Sequence, residues 1–271
     1  MTYFMIYATG DCHHDFHKFN TDMFPEQKHL TKNDYMIICG DFGGIWDREP
    51  TKNEKWWLDW LENLPFTTLV VDGNHEHHLR LKALPEKEFH GGRVGVIRPS
   101  VLHLRRGEVF DLDGVKVFAF GGARSHDISD GILDYDDPNW RDKARFLQDR
   151  GKYMFRVKGL SWWEEELPSE EEMENGLRNL EKHNNKVDLI VTHCCPSSIQ
   201  SQFLPYGDYD ILTDYFNRIK HTVEYDQWYF GHYHFNAPID EKHGCLYQYI
   251  LPWDNPRELI EEDSRQVLLY K

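Results

Sequence analysis

Five short apolar runs, each rich in strand-forming residues, stop abruptly at side chains able to bind a metal. No other feature restricts the fold of this 271-residue chain so tightly. Tyr3 to Ala8 leads through Thr9-Gly10 into Asp11-Cys12-His13, Tyr35 to Cys39 into Gly40-Asp41, and Thr67 to Val71 into Asp72-Gly73-Asn74-His75. Val187 to Val191 ends at Thr192-His193, and Gln227 to Phe230 at Gly231-His232-Tyr233-His234. Apolar runs of this length bounded by turn signals read as buried strands. Open α/β sheets gather ligands outside the carboxyl ends of their strands, so neighbouring strands of this kind bring their terminal side chains to one edge. If Asp11 and His13 both stay extended, the two-residue period of a strand points them to one side.

Between these runs the pattern is mixed. Trp56, Trp57, Trp60, Leu61 and Leu64 have the spacing of an amphipathic helix over Thr51 to Leu64, closed by Pro65. Ser169 with Glu172 forms a capping box for a helix to about His183, and a second helix is expected over Ile211 to Lys220. Further strands are expected at Val94 to Ile97, Val101 to Leu104, Val115 to Phe120, Leu246 to Leu251 and Val267 to Tyr270, with a tight Asp113-Gly114 hairpin. No linker or repeat divides the chain, so one domain over 1–271 is expected.

From 125 to 168 the periodicity is lost. Arg141, Lys143, Arg145, Arg150, Lys152, Arg156 and Lys158 form a basic cluster against Asp142 and Asp149. The plain reading is a solvated face; the sharper one is a lid or substrate-steering insertion.

The bulk numbers narrow the function. A net charge of −15 disfavours broad contact with nucleic acid or anionic membrane. It does not exclude a phosphate substrate, because carboxylates also gather to hold cations. The opening M-T-Y-F-M-I-Y-A has no basic n-region and no long apolar run, so neither a signal peptide nor a membrane span is expected. Five cysteines, two of them adjacent, make a poor disulfide framework and fit a reducing cytoplasm.

Taken alone, a histidine after a strand is usually a satisfied polar residue. Here two aspartates, an asparagine and four histidines recur after five separate runs. Mixed oxygen and imidazole donors suit manganese, iron or zinc better than magnesium or calcium. Seven donors exceed what one tetrahedral ion takes and suit two ions sharing a carboxylate.

The ordered motifs Asp11-Cys12-His13, Gly40-Asp41, Gly73-Asn74-His75-Glu76, His193 and Gly231-His232-Tyr233-His234 resemble the signature of the calcineurin-like metallophosphoesterases. The resemblance spans positions 11 to 234. It implies an α/β fold, a four-layer αββα sandwich of two mixed β-sheets flanked by helices, with a dinuclear site at strand C-terminal ends. It implies that Asp11, His13 and His234 hold one metal, that Asn74, His193 and His232 hold the other, and that Asp41 bridges them. The cofactors expected are two divalent ions, manganese first, with iron or zinc as alternatives. A hydroxide generated between the ions would then hydrolyse a small phosphomonoester or phosphodiester. His75 resembles the family's non-ligand catalytic histidine. His14, His77 and His78 match no ligand position and read as solvated or supporting residues.

One departure stands out. Many members extend G-D into G-D-x-x-D-R-G, where the second Asp orients the catalytic histidine and the Arg grips phosphate. This chain has Gly40-Asp41-Phe42-Gly43-Gly44 instead. Asp47 and Arg48 can substitute only if the glycine loop folds back, and Arg124 is a further candidate. The loss counts against the protein-phosphatase branch. The rival readings are a nuclease or nucleotide phosphodiesterase, motivated by the basic cluster with nucleic acid as substrate, and a non-catalytic metal-binding scaffold.

Overall fold

The computed structural model describes residues 4–204, 207 and 209–255. Tyr35–Cys39 is buried at every position, as a strand covered on both faces should be. Tyr35, Ile37 and Cys39 face one apolar layer, while Met36 and Ile38 face another. The same two-sided burial holds for Ile6–Thr9, Thr67–Val71 and Leu189–Thr192.

These strands build two mixed sheets. Across the first, the order is Ile250–Pro252, Ile6–Thr9, Tyr35–Cys39, Thr67–Val71, Val101–Leu104, Gly92–Arg98 and Glu86–Phe89. Its four strands from Ile6–Thr9 to Val101–Leu104 run parallel. Across the second, the order is Ala237–Pro238, His243–Cys245, Gln227–Phe230, Leu189–Thr192, Val115–Phe120 and Glu108–Leu112. Here too the middle four are parallel. The first sheet contributes Ile37, Leu69 and Leu102, and the second Val117, Val191 and Tyr229, to one apolar layer between them.

Helices cover the outer faces. Lys52–Glu62, capped by the Thr51 hydroxyl accepting from the Glu54 amide, lays Trp57, Leu58 and Leu61 on Met36, Ile38 and Val70. Glu170–Lys182 and Ile211–Thr222 lay Leu180, Leu212 and Phe216 on Phe118, Ile190 and Trp228. This is the four-layer αββα arrangement. Both bonds of the Ser169–Glu172 capping box form. Asp113 and Gly114 take positive φ, as a tight hairpin turn of this kind requires.

Two expectations are corrected. The strand expected over Leu246 to Leu251 forms only at its end, as Ile250–Pro252 of the first sheet, and the strand before it, His243–Cys245, belongs to the second. The chain crosses between them where the Tyr247 and Tyr249 amides donate to the Asn236 side chain rather than to a neighbouring strand. The segment 125–168, read as irregular, holds a parallel pair, Gly131–Asp134 with Phe155–Lys158, and a helix, Trp140–Gln148. The strand expected at 267–270 lies outside the described residues.

Candidate dinuclear metal centre

Five parallel strands, three adjacent in the first sheet and two adjacent in the second, end at one rim of the sandwich. The loops after them interlock. The Cys12 and His13 amides both donate to the Asp41 carbonyl, and the Gly231 amide donates to the His193 carbonyl. Asp11 Oδ1 accepts from the His232 amide at 2.9 Å, and Asp41 Oδ1 from the His75 amide at 2.8 Å. Each aspartate is thus aimed by the motif of another strand.

Glycine provides the space. A Cβ on Gly73 would lie 2.1 Å from Asp41 Oδ1, and one on Gly231 2.2 Å from Asp11 Oδ1. At Gly40, which has φ +88°, it would lie 2.0 Å from the His193 ring. The condition under which the strand period would align Asp11 and His13 is not met, because His13 is left-handed with φ 47°. The strand ends at Thr9, and its two-residue period no longer governs the side chains beyond it. Asp41, His232 and His234 also take left-handed conformations, at φ 41°, 71° and 54°. Such backbone is unfavourable for any residue with a Cβ and clusters where function demands it.

The side chains fall into two groups. Asp11, His13, Asp41 and His234 each offer a ligand atom within 4.8 Å of the others. His13 Nε2 and His234 Nε2 stand 2.9 Å apart, and lie 3.5 and 3.1 Å from Asp11 Oδ2. That oxygen is buried without a hydrogen-bond partner among the described residues. Burial opposes its charge, but His13 and His234 hold the Asp11 carboxyl well below the usual range. In the second group, His193 Nε2 is 3.2 Å from Asp41 Oδ1 and 3.2 Å from Asn74 Oδ1. His193 Nδ1 faces the Cys39 carbonyl at 2.9 Å, so the proton belongs there and Nε2 is left to bind. Burial alone would lower the His193 pKa, yet the Asp41 carboxylate raises it to about 9. The His232 ring lies 4.8 Å from that of His193.

A divalent cation fits such a set. An orphaned carboxylate oxygen, two imidazole nitrogens closed on each other, and three acceptors converging on one point are what metal-ligand side chains look like without their ion. Lys18 braces the first group from behind, its buried ammonium donating to Thr9 Oγ1 and to the carbonyls of Gly10, Asp11 and Tyr247.

His75 stands at the border of the site. Its ring stacks on Trp46 at 5.5 Å and meets the His13 ring edge-on at 5.0 Å. Burial lowers its pKa, Asp41 works against that, and Arg156 adds to it. Beside it, a cleft of about 510 Å³ opens past His14, Trp46 and Asn53.

Several contributors escaped the sequence reading. Arg156 Nη2 lies 3.4 Å from His75 Nε2, and His126 Nε2 lies 2.6 Å from His232 Nε2. Asn74 Nδ2 donates to Ser125 Oγ, and the buried Glu166 carboxylate accepts from the Ser125 amide and hydroxyl and from Trp162 Nε1. All of these partners belong to 125–168, where nothing in the text separates them from their neighbours. Asp47 lines the cleft beside His75, its carbonyl accepting from Arg80, while Arg48 stacks on Tyr135 at 4.2 Å. Arg124 is exposed. Glu76 takes the amides of Phe42 and Gly43, shaping the loop where the second Asp was expected. His77 and His78 are buried rather than solvated; His77 packs on Trp163 and His78 stands near Asp72.

This fold and rim of donors place the chain in a class, and the sequence match is plain: the chain belongs to the calcineurin-like phosphoesterase family, whose model it matches over residues 4–236. That family consists of metal-dependent hydrolases of phosphoester bonds. Over 140 residues the chain is also 28% identical to the Xenopus laevis protein named lariat debranching enzyme A. That stretch is 46% of this chain and 25% of the frog enzyme, so the chain spans about a quarter of that relative's length.

Proposed function

We propose that the chain is a dinuclear metal-dependent phosphoesterase of small phosphomonoesters or phosphodiesters. The observation that carries this reading is the convergence of six donors from five strand ends into two groups that share Asp41, with the His232 ring beside that of His193. Asp11, His13 and His234 would hold one ion, Asn74, His193 and His232 the other, and Asp41 would be shared between them. Manganese is the expected metal, with iron or zinc as alternatives. Two divalent ions held there supply Lewis acidity toward phosphoryl oxygens and a nucleophile at neutral pH. His75 is the catalytic residue of the chain itself: a desolvated, neutral ring still donates one N–H to a leaving alkoxide oxygen. Trp46 and the Asp41-bound backbone amide fix where that ring stands.

Size and charge support a small substrate. The cleft beside His75 is within the range of small-molecule sites. Much of the basic cluster of 125–168 is neutralised locally: Lys143 pairs with Asp137, Arg145 with Asp142, Lys152 with Asp130 and Lys158 with Glu164. Arg141 and Arg150 stack on Trp140 and Phe146. A second reading, cleavage of a phosphodiester within nucleic acid, draws on the likeness to the debranching enzyme. It predicts turnover that weakens steeply with salt. A metal-binding scaffold is the weaker rival, since no donor is missing. Five buried free thiols suit a reducing cytoplasm, and no helix among the described residues is long and apolar enough to cross a membrane.

The test is direct. Metal-stripped protein should not hydrolyse nitrophenyl phosphate mono- and diesters, and manganese should restore turnover. Absence of turnover with manganese, iron, cobalt and zinc alike would sink the reading.

A further inference from the structure

The motif loop that usually brings an arginine to phosphate has glycines here, yet a guanidinium still reaches the site. Arg156 lies on Phe155–Lys158, the strand paired in parallel with Gly131–Asp134. Asp127 grips one edge of it, accepting from Nε at 2.8 Å and contacting Nη2 at 2.6 Å. Nη2 also lies 3.4 Å from His75 Nε2. Its side chain is 18% exposed, against 48–72% for the other ion-paired residues Lys143, Arg145, Lys152 and Lys158. Through His75, whose ring contacts His13, this places a fixed positive charge one side chain away from the metal ligands.

We propose that Arg156 binds the substrate's phosphoryl group, in place of the arginine that the loop after Asp41 does not carry. The inference rests on the phosphoesterase reading and deepens it. The physical case has three parts. A guanidinium stays charged at any working pH and suits phosphate oxygens. It is held by Asp127 on a β-pair rather than on a free loop, so little conformational freedom is lost when substrate arrives. Its neighbour His75 lines the cleft. A segment that merely latched itself to the core would have no need of a charged group there, because Ser125 and Glu166 already fasten it near Asn74. Asp127 is then a positioning residue.

Titration of the manganese-loaded protein with inorganic phosphate tests the assignment without needing the natural substrate. Arg156→Ala should weaken phosphate binding by about tenfold or more, with metal content and thermal midpoint close to those of the parent. Arg156→Lys should fall between, and free guanidinium should restore part of the turnover lost in Arg156→Ala. Should Arg156→Ala fail to fold, Arg156→Gln carries the same readout, because it removes the charge while keeping most of the side chain. Unchanged phosphate affinity in a metal-replete variant would overturn the assignment, as would a wild-type protein that does not bind phosphate. The two readings fail separately. Ester turnover with unchanged phosphate binding in the variant removes the role of Arg156 alone. Arg156-dependent phosphate binding without any ester turnover removes the hydrolase and leaves the anion contact.

Discussion

Asp72 precedes the Gly73-Asn74-His75 motif and touches no proposed ligand group, which makes it a clean test of what holds that motif in place. Its carboxylate is buried, with Oδ2 accepting from Arg106 Nε at 3.0 Å and Nη2 at 2.5 Å, and Oδ1 facing His103 Nε2 at 3.0 Å. Burial opposes the charge, but Arg106 and His103 hold the carboxyl well below the ordinary range. Asp72→Asn keeps the shape and leaves the buried Arg106 without its counter-charge. Breaking a buried pair from one side costs about 3–5 kcal/mol. Arg106 keeps the Glu165 carbonyl at 2.8 Å and Glu172 at 3.6 Å, so the lower end, about 3 kcal/mol, is the expected loss. At about 2–4 °C per kcal/mol for a chain of this size, the midpoint should fall by roughly 6–12 °C. Denaturant unfolding at pH 7 should show an unchanged slope and a lower midpoint.

The sign of the pH dependence is fixed. A depressed carboxylate contributes stability above its unfolded pKa of about 3.9. It loses that contribution as the pH falls through the folded value. The gap between wild type and variant should therefore stay constant from pH 5 to 7 and narrow in acid. Adding Arg106→Met to Asp72→Asn removes the stranded charge and should recover at least half of the loss. A single-variant loss below about 1 kcal/mol, or a double variant no better than the single, would refute the account.

Two further outcomes follow from the site. Asn74→Ala should weaken metal binding, whereas His75→Ala should retain both ions and lower kcat by about 10²–10⁴-fold; equal metal loss in both would erase the distinction. His234→Gly removes a ligand and also relieves a left-handed backbone of about 1 kcal/mol. It should be nearly neutral in metal-free denaturation while cutting the rise in midpoint on adding manganese, and a metal-free loss above about 2 kcal/mol would contradict the strain.

The ligand-bearing ends were legible because each buried run is continuous and each stops at glycine, aspartate or histidine. Periodicity carries no information on which strands share a sheet, and the strand at Glu86–Phe89, E-K-E-F with three exposed residues, has no apolar pattern to find. The backbone at His13 left the strand geometry because contact with the Asp41 carbonyl, not local propensity, decides it. The segment 125–168 hid the most. Its β-pair is half exposed and mixes charge with aromatic residues, so Arg156 reads like any other member of a basic cluster. Only the fold separates the arginine beside His75 from the lysines paired on the surface.

The clash that a Cβ on Gly231 would make with Asp11, and one on Gly73 with Asp41, has an evolutionary side. The glycine of one motif is space reserved for the carboxylate of another, some 220 and 30 residues away in the chain. Neither member of a pair can drift alone, since contacting residues couple. Losing Asp11 would not by itself free Gly231, because the Cys39 carbonyl would still lie 2.6 Å from such a Cβ, so the glycine should outlast the ligand. Gly231→Ala should accordingly stay costly in an Asp11→Gly background, though less so than in the parent, which folding measurements on the metal-free proteins would show.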